Sequence, residues 1–385
     1  MAKSKCIDQA MKVEFFKHNI SQEDIDELSK VLKSIFLTTG EWTKKFEEKL
    51  AAYVRAPYAV GLTSCTSALE LSLKHFGIGE GDEVITTPMS FVATANAIEM
   101  CYAKPVFVDC EAETGNINAA LIERAITPKT KAILPVHLFG QMCDMKRIKE
   151  IAKKHNLKII EDSAHCLEGE RDGIRAGQLA DISCYSFYAT KNITSGEGGA
   201  ISTQDKNIYE WFVKARSHGL DTDAADRYTK LYRHYDMAFL GFKCNMSNIE
   251  AALLLHQIDR IEGYLKLRKQ IADSFFKAFE KNQYIKYPIV LPGTKHAYHL
   301  FTIWVDPKKR DEYLHQLQQR GVGVAVNYRS IHLMSYYQNK YRFKRGDFPV
   351  CERIGDSTIS IPLYPKLTQQ ECDFVIKTVN EVINA

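Results

Sequence analysis

What this chain has little of sets the first limits on what it can be. Its ten cysteines are spread over 385 residues with no Cys-x-x-Cys pair, so neither a disulfide scaffold nor a zinc site of the paired-cysteine kind is expected, and no metal is assigned. A net charge of +4 comes without any concentrated basic block, which gives no argument for nucleic acid or a membrane surface as partner and leaves a small anionic substrate open. No apolar run is long enough to span a bilayer, and residues 1–10 lack an apolar core of signal-peptide length. The expected location is therefore cytoplasmic. Internal repeats and low-complexity segments are also absent.

What remains is an ordinary globular composition, 45% hydrophobic and 25% charged. The length suits one large domain plus a smaller one, expected at 1–255 and 256–385. Residues 21–32 open with Ser-Gln-Glu-Asp and carry apolar residues at helical spacing, and 42–54 resume a helical pattern. From 58 to about 205 a short apolar strand, a polar turn and an amphipathic helix alternate. Strands are expected to begin near 58, 83, 105, 132, 158, 182 and 200, with helices at 67–76, 93–100, 119–125 and 145–155. Continuously apolar strands alternating with helices predict an α/β domain whose mainly parallel sheet is covered on both faces. Ligands in such sheets sit beyond the carboxyl ends of the strands.

Residues 208–217 read as a further helix and 221–236 as a long polar, tyrosine-rich loop. A long helix follows Asn248, its stripe of Ala251, Leu254, Leu255, Ile258, Ile261 and Leu265 linking the two domains. Strands at 298–305 and 323–326 and helices at 312–320 and 369–384 then predict a small α+β domain.

Several strand ends carry residues of chemical interest. Lys191 lies in Ser186-Phe-Tyr-Ala-Thr-Lys-Asn-Ile-Thr-Ser-Gly-Glu-Gly-Gly, a polar connection between two strands. Hydroxyls and three glycines around it suit an amine that captures an electrophile, although a single loop lysine more often has no role. Ile159-Ile-Glu-Asp-Ser-Ala-His leaves Asp162 and His165 just past a buried strand; a helix cap is the commoner use of such an aspartate. Gly61-Leu-Thr-Ser-Cys-Thr-Ser-Ala-Leu runs from strand into helix, so Thr66 and Ser67 stand where free N–H groups and hydroxyls can hold a phosphate, or serve as a plain N-cap. No P-loop lysine follows, which disfavours ATP or GTP. Phe91, in Thr87-Pro-Met-Ser-Phe-Val-Ala-Thr, could stack on a planar ring or pack in the core. An amine, a carboxylate, a phosphate cup and a flat apolar contact together match pyridoxal 5'-phosphate.

The chain resembles the sugar aminotransferases of the DegT/DnrJ/EryC1/StrS family, which are similar in fold to aspartate aminotransferase (fold type I). The resemblance covers nearly the whole length, through Leu37-Thr-Thr-Gly, Ser64-Cys-Thr-Ser-Ala-Leu, Thr87-Pro-Met-Ser-Phe-Val-Ala-Thr-Ala-Asn-Ala-Ile, Pro135-Val-His-Leu-Phe-Gly, Glu161-Asp-Ser-Ala-His, Ser186-Phe-Tyr-Ala-Thr-Lys-Asn and Gly196-Glu-Gly-Gly-Ala. It implies Lys191 as the Schiff-base and proton-transferring lysine, Asp162 as partner of the pyridine nitrogen, Phe91 on the ring, and Thr66, Ser67 and Ser186 at the phosphate. His165 takes the place, often glutamine, beside the phenolic oxygen. Gly241-Phe-Lys-Cys-Asn-Met-Ser resembles the segment that reaches the neighbouring subunit's cofactor phosphate, which implies a homodimer with shared sites; the contact falls on Asn245, with Lys243 as rival. Asn327-Tyr-Arg-Ser-Ile-His resembles a motif of the branch that aminates C4 of nucleotide-linked 4-keto sugars. Asn327 stands where histidine is usual, and Cys65 where glycine is frequent. Arg329 and His332 keep the motif, and Arg329, Arg227 and Lys243 are candidates for the sugar nucleotide's diphosphate.

The implied reaction moves an amino group from an amino acid, glutamate, to the keto sugar, for cell-surface polysaccharide or glycoconjugate synthesis. One alternative is a dehydratase of keto-deoxy sugars, whose family members tend to carry histidine in place of the lysine. The other is a non-catalytic regulatory paralogue, disfavoured by the complete Asp162 and Lys191 set.

Overall fold

The computed structural model describes residues 11–221 and 234–384. Seven strands form the main sheet: β1 (Tyr58–Leu62), β2 (Glu83–Thr86), β3 (Lys104–Phe107), β4 (Thr130–Leu134), β5 (Lys158–Asp162), β8 (Ile182–Ser186) and β9 (Gly199–Thr203), the short β6 (Glu170–Arg171) and β7 (Ile174–Arg175) lying between β5 and β8 in sequence. Their order across the sheet is β1-β9-β8-β5-β4-β2-β3. Pairing is parallel from β3 through β8. β9 runs antiparallel to both its neighbours, which orientation-blind composition could not show.

Successive residues on a strand face opposite sides of a sheet, and the two cores follow that alternation. Ile133, Ile159 and Ala200 join one core, whereas Leu134, Ile160 and Ile201 join the other. Helices α2 (Glu41–Val54) and α6 (Met145–His155) pack on the first face through Phe46, Leu50, Ile148 and Ile151. Helices α3 (Cys65–His75), α4 (Ala93–Met100) and α7 (Lys206–Ala215) cover the second. Both faces are covered by helices, so the middles of these strands read as short apolar runs, with exposed lysines at Lys104, Lys131 and Lys158.

The helix expected after Asn248 is two helices, Asn248–Leu255 and Gln257–Phe279, meeting at His256. Along Gln257–Phe279, Ile258 and Ile261 belong to the core of the main sheet. Leu265, Ala272, Phe275 and Phe279 belong to a separate core with β11 (Phe301–Trp304), β12 (Thr358–Ile361) and the helix Gln369–Ile383, with short β10 (Thr294–Lys295) preceding β11. Residues 323–326 are not a strand but make an isolated bridge, Ala325 to Ser360. Val13, from the other end of the chain, joins this second core and pairs with Val322. The expected loop at 221–236 falls mostly outside the described residues, as does Arg227.

Among the described residues no helix is long and apolar enough to cross a membrane, and no group of three or more histidine, cysteine, aspartate or glutamate side chains is placed to hold a metal ion.

Candidate active site

The turns after β1, β2, β5 and β8 and the start of β9 all emerge on one edge of the sheet, around a cavity of about 530 Å³. Lys191, Asp162, His165, Ser186, Thr66 and Phe91 all line it. Ser67 does not. It sits one turn into α3, where its N–H is capped by Ser64 Oγ at 3.0 Å and its hydroxyl bonds the same oxygen at 2.8 Å. Ser64 itself lines the cavity, and its cap starts the helix two residues earlier than the sequence pattern suggested.

The cup beneath α3 depends on close backbone contact. A β-carbon on Gly199 would fall 2.2 Å from the Ser64 carbonyl carbon and 2.4 Å from the Cys65 nitrogen. Only glycine lets β9 lie against the helix start, where first-turn N–H groups point outward and favour an anion.

Asp162 ends β5, almost wholly buried. Thr94 Oγ1 donates to its Oδ2 at 2.7 Å, the Ala164 N–H donates to Oδ1 at 3.1 Å, and Ser90 braces Thr94 at 2.8 Å. These donors fix the carboxylate's direction. Thr94 lies inside the motif at 87–98, but nothing in the sequence says that a first-turn hydroxyl of α4 meets the end of β5.

Lys191 is half-buried as a residue, but its amine is enclosed. Burial pulls the amine down from 10.5 to about 8, with Asp162 and Cys65 partly offsetting the effect. Among the described residues no hydrogen bond or ion pair holds it. His165 is buried and held well below the ordinary histidine range, first by burial and then by Lys191. Its Nε2 lies 3.0 Å from the Tyr328 hydroxyl, while its Nδ1 has no partner among the described residues.

Phe91 is 57% exposed, an apolar ring at the cavity's edge rather than in a core. Phe15, Asn327 and Tyr328 close the cavity from outside the main sheet. Neither Phe15, whose segment carries no motif, nor Tyr328, inside the Asn327–His332 motif, stands out in the sequence.

The remaining sequence candidates lie elsewhere. Asn245 and Lys243 do not line this cavity; they bond each other, and Asn245 Nδ2 donates to Thr39 Oγ1 at 2.6 Å. Arg329 is exposed beside the cavity-lining Tyr328. His332 is fully buried behind the loop, its Nε2 3.0 Å from Glu352 Oε1.

The arrangement fits a flat aldehyde bearing a phosphate. A buried histidine nitrogen awaits a partner, a backbone cradle excludes any β-carbon, and a desolvated lysine amine faces an oriented carboxylate.

Comparison with known proteins agrees with that geometry. Residues 18–380 match the DegT/DnrJ/EryC1/StrS aminotransferase family. The spore coat polysaccharide biosynthesis protein SpsC of Bacillus subtilis is 38% identical, over 94% of this chain and 95% of its own. The UDP-4-amino-4-deoxy-L-arabinose–oxoglutarate aminotransferase of Shewanella sediminis is 33% identical, over 94% and 96%. Among solved structures, Spr1654 from Streptococcus pneumoniae in its PLP form superposes with a TM-score of 0.90 at 31% identity, covering 97% of this chain and 99% of that one. The chain belongs to the DegT/DnrJ/EryC1/StrS aminotransferase family and is a pyridoxal phosphate-dependent sugar aminotransferase of fold type I.

Proposed function

We propose that this enzyme transfers the amino group of glutamate to C4 of a nucleotide-linked 4-keto sugar, releasing 2-oxoglutarate and the amino sugar, for polysaccharide or glycoconjugate synthesis in the cytoplasm. The observation that carries the reading is the convergence of Lys191, Asp162, Thr66 and Ser186 on one cavity. The Shewanella relative, a 4-amino sugar–oxoglutarate aminotransferase, and the Bacillus relative, a polysaccharide biosynthesis protein, support the finer terms.

Pyridoxal phosphate, when bound, supplies an electron-withdrawing ring that acidifies the C–H bond beside the transferred nitrogen. Lys191 Nζ would hold the aldehyde carbon and, when free, would be the base that moves the proton, since burial leaves it readily neutral. Asp162, directed by Thr94 and Ala164, would hold a proton on the pyridine nitrogen, because a fixed carboxylate favours the adjacent cation. Thr66 and Ser186 would bind and orient the phosphate, Ser67 would act only by holding Ser64 in the cup, and Phe91 would cover the ring and keep water off it.

We further propose a homodimer in which Asn245, or Lys243 in its place, reaches the neighbour's phosphate. Both stand outside this chain's own cavity, and Leu240 and Ile35 are 81% and 90% exposed. Arg329, with His332 behind it, and Lys243 make up the sugar-nucleotide side. Residues 1–255 are proposed as the cofactor-binding domain and 256–385 as the smaller one; a change of core between Ile261 and Leu265 supports two domains and puts the change of packing a few residues past 256, while Val13 crosses to the second core.

The test is a panel of nucleotide-linked 3-keto and 4-keto sugars with glutamate, read by mass spectrometry. Release of 2-oxoglutarate together with a 4-amino sugar is the expected result. Amination at C3 alone, or release of 2-oxoglutarate well beyond one equivalent per site without a sugar, would overturn the proposal.

A further inference from the structure

Tyr328 and His299 take no part in the steps above, yet both pack on His165. The Tyr328 and His165 rings lie within 20° of parallel with centroids 5.8 Å apart, and the His299 ring sits 4.3 Å from His165. The orientation of His299 follows from a chain of one-way partners. Glu168, paired with the buried Arg268, can only accept; Asn192 Nδ2 donates to it at 2.8 Å. Asn192 Oδ1 is therefore the atom 3.0 Å from His299 Nδ1, and a carbonyl oxygen only accepts, so the hydrogen of His299 is on Nδ1.

The same reasoning extends to His165. Burial holds both histidines neutral and pushes the Tyr328 hydroxyl up, so each ring carries one N–H and the phenol keeps its hydrogen. Lys191, Tyr328 and His299 are the titratable groups facing His165. His165 Nδ1, buried and unpartnered among the described residues, needs a partner that the bound group must supply. Were the hydrogen on Nε2, Nδ1 would set a lone pair against the negatively charged phenolic oxygen.

From these contacts we infer that Tyr328 is a positioning residue: its hydroxyl donates to His165 Nε2, fixes the Nδ1–H tautomer, and so aims that N–H at the phenolic oxygen of pyridoxal phosphate. His299 packs against the same ring, tilted 40° to it. The inference rests on His165 facing that oxygen and is independent of which sugar is aminated.

Neutron diffraction from crystals of the cofactor-loaded protein reads the tautomer without any substitution. Deuterium on His165 Nδ1, with the Tyr328 hydroxyl pointing to Nε2, is expected; deuterium on Nε2 alone would overturn the inference. A double-substitution cycle reads the consequence. In the loaded wild-type background, Tyr328→Phe should raise the pH midpoint of the near-visible absorption titration by about one pH unit, the weight of a weakened hydrogen bond to a charged oxygen. In a His165→Gln background, where an amide donates without help, the same change should leave the midpoint in place. An equal shift in both backgrounds, or none in the first with the fold intact by circular dichroism, would refute the role. A failed sugar assay would leave all of these readouts standing.

Discussion

Gly199 and Ser64 touch backbone to backbone, with 2.2 Å separating the Ser64 carbonyl carbon from the place a Gly199 side chain would begin. The contact, rather than any left-handed backbone angle, demands glycine there. Gly199→Ala must push β9 away from the start of α3, at a cost of about 1–3 kcal/mol. Thermal melts should show that loss, and cofactor titration should show affinity falling about tenfold or more. Gly263→Ala, where a β-carbon meets nothing within 4 Å on an exposed helix face, is the control. It should be neutral or slightly stabilising.

Replacing Lys191 by alanine removes both the covalent anchor and the base. The loaded protein should lose its Schiff-base absorption, and turnover should fall by roughly 10²- to 10⁴-fold or more. The amine also leaves a mark on stability. Between about 8 and 10.5 the unfolded chain holds a proton on this amine that the folded chain lacks, so Lys191 itself contributes stability that grows as pH rises through that window, against the opposite slope of the buried thiols and phenols whose values are raised. The urea midpoint of the cofactor-free wild type, taken relative to that of Lys191→Met, should therefore rise with pH across the window.

His75, His165, His296, His299 and His332 are all held below the ordinary histidine value, each first of all by burial, and His296 is brought down to about 3. Each contributes stability that is present above 6.5 and lost as pH falls below it, because the unfolded chain then takes up protons that the folded chain does not. Acid should therefore weaken the fold between pH 6.5 and 5.5, before the carboxylates begin to protonate. A urea midpoint that stays flat across that interval would contradict this.

Glu168 and Arg268 form an ion pair with both side chains inside the protein. Arg268→Met leaves a buried carboxylate unpaired and should cost about 3–5 kcal/mol. Adding Glu168→Gln should recover much of that, since the stranded charge is gone. Denaturant unfolding of the two single variants and the double variant reads the difference.

His332 and Arg329 share a motif but should separate on substitution. Arg329 is exposed, and Arg329→Ala should raise KM for the sugar nucleotide by about tenfold while leaving the melt unchanged. His332→Phe should cost about 1–3 kcal/mol by removing one donor to the carboxylate of Glu352, which keeps the Gly346 and Phe348 N–H groups, with a smaller change in KM. A large KM effect at His332 without loss of stability would place it at the substrate instead.

Much of this was legible along the chain because the main sheet is covered by helices on both faces and each functional turn follows one of its strands. Short buried runs such as Ile159–Asp162 and Ile182–Tyr185, each followed by a polar turn, mark both the sheet and the positions of Asp162 and Lys191. What was not legible depended on meetings between distant segments. The antiparallel direction of β9 leaves no trace in its composition. The break at His256 occurs inside an apolar stripe that continues across it, and Thr94, Phe15 and Tyr328 gain their places only when remote elements come together. Of the candidates taken from resemblance, those on sheet turns converge on the cavity, apart from Ser67 one turn behind it. Asn245, Lys243 and His332 lie on segments whose placement depends on packing elsewhere in the fold.

The pairing of Val13 with Val322 has a consequence for synthesis on the ribosome. Val13 N–H donates to the Gly321 carbonyl and Gly323 N–H donates to Val13, each at 2.8 Å, so Phe15 reaches the cavity from a segment anchored on residues made some three hundred positions later. The main sheet and Lys191 emerge and can fold first, as N-terminal units do. During that interval the lysine pocket lacks the walls supplied by Phe15 and Tyr328. Durable capture of the cofactor thus waits for the last part of the chain, and pyridoxal phosphate should be retained by released chains but not by ones stalled before residue 320.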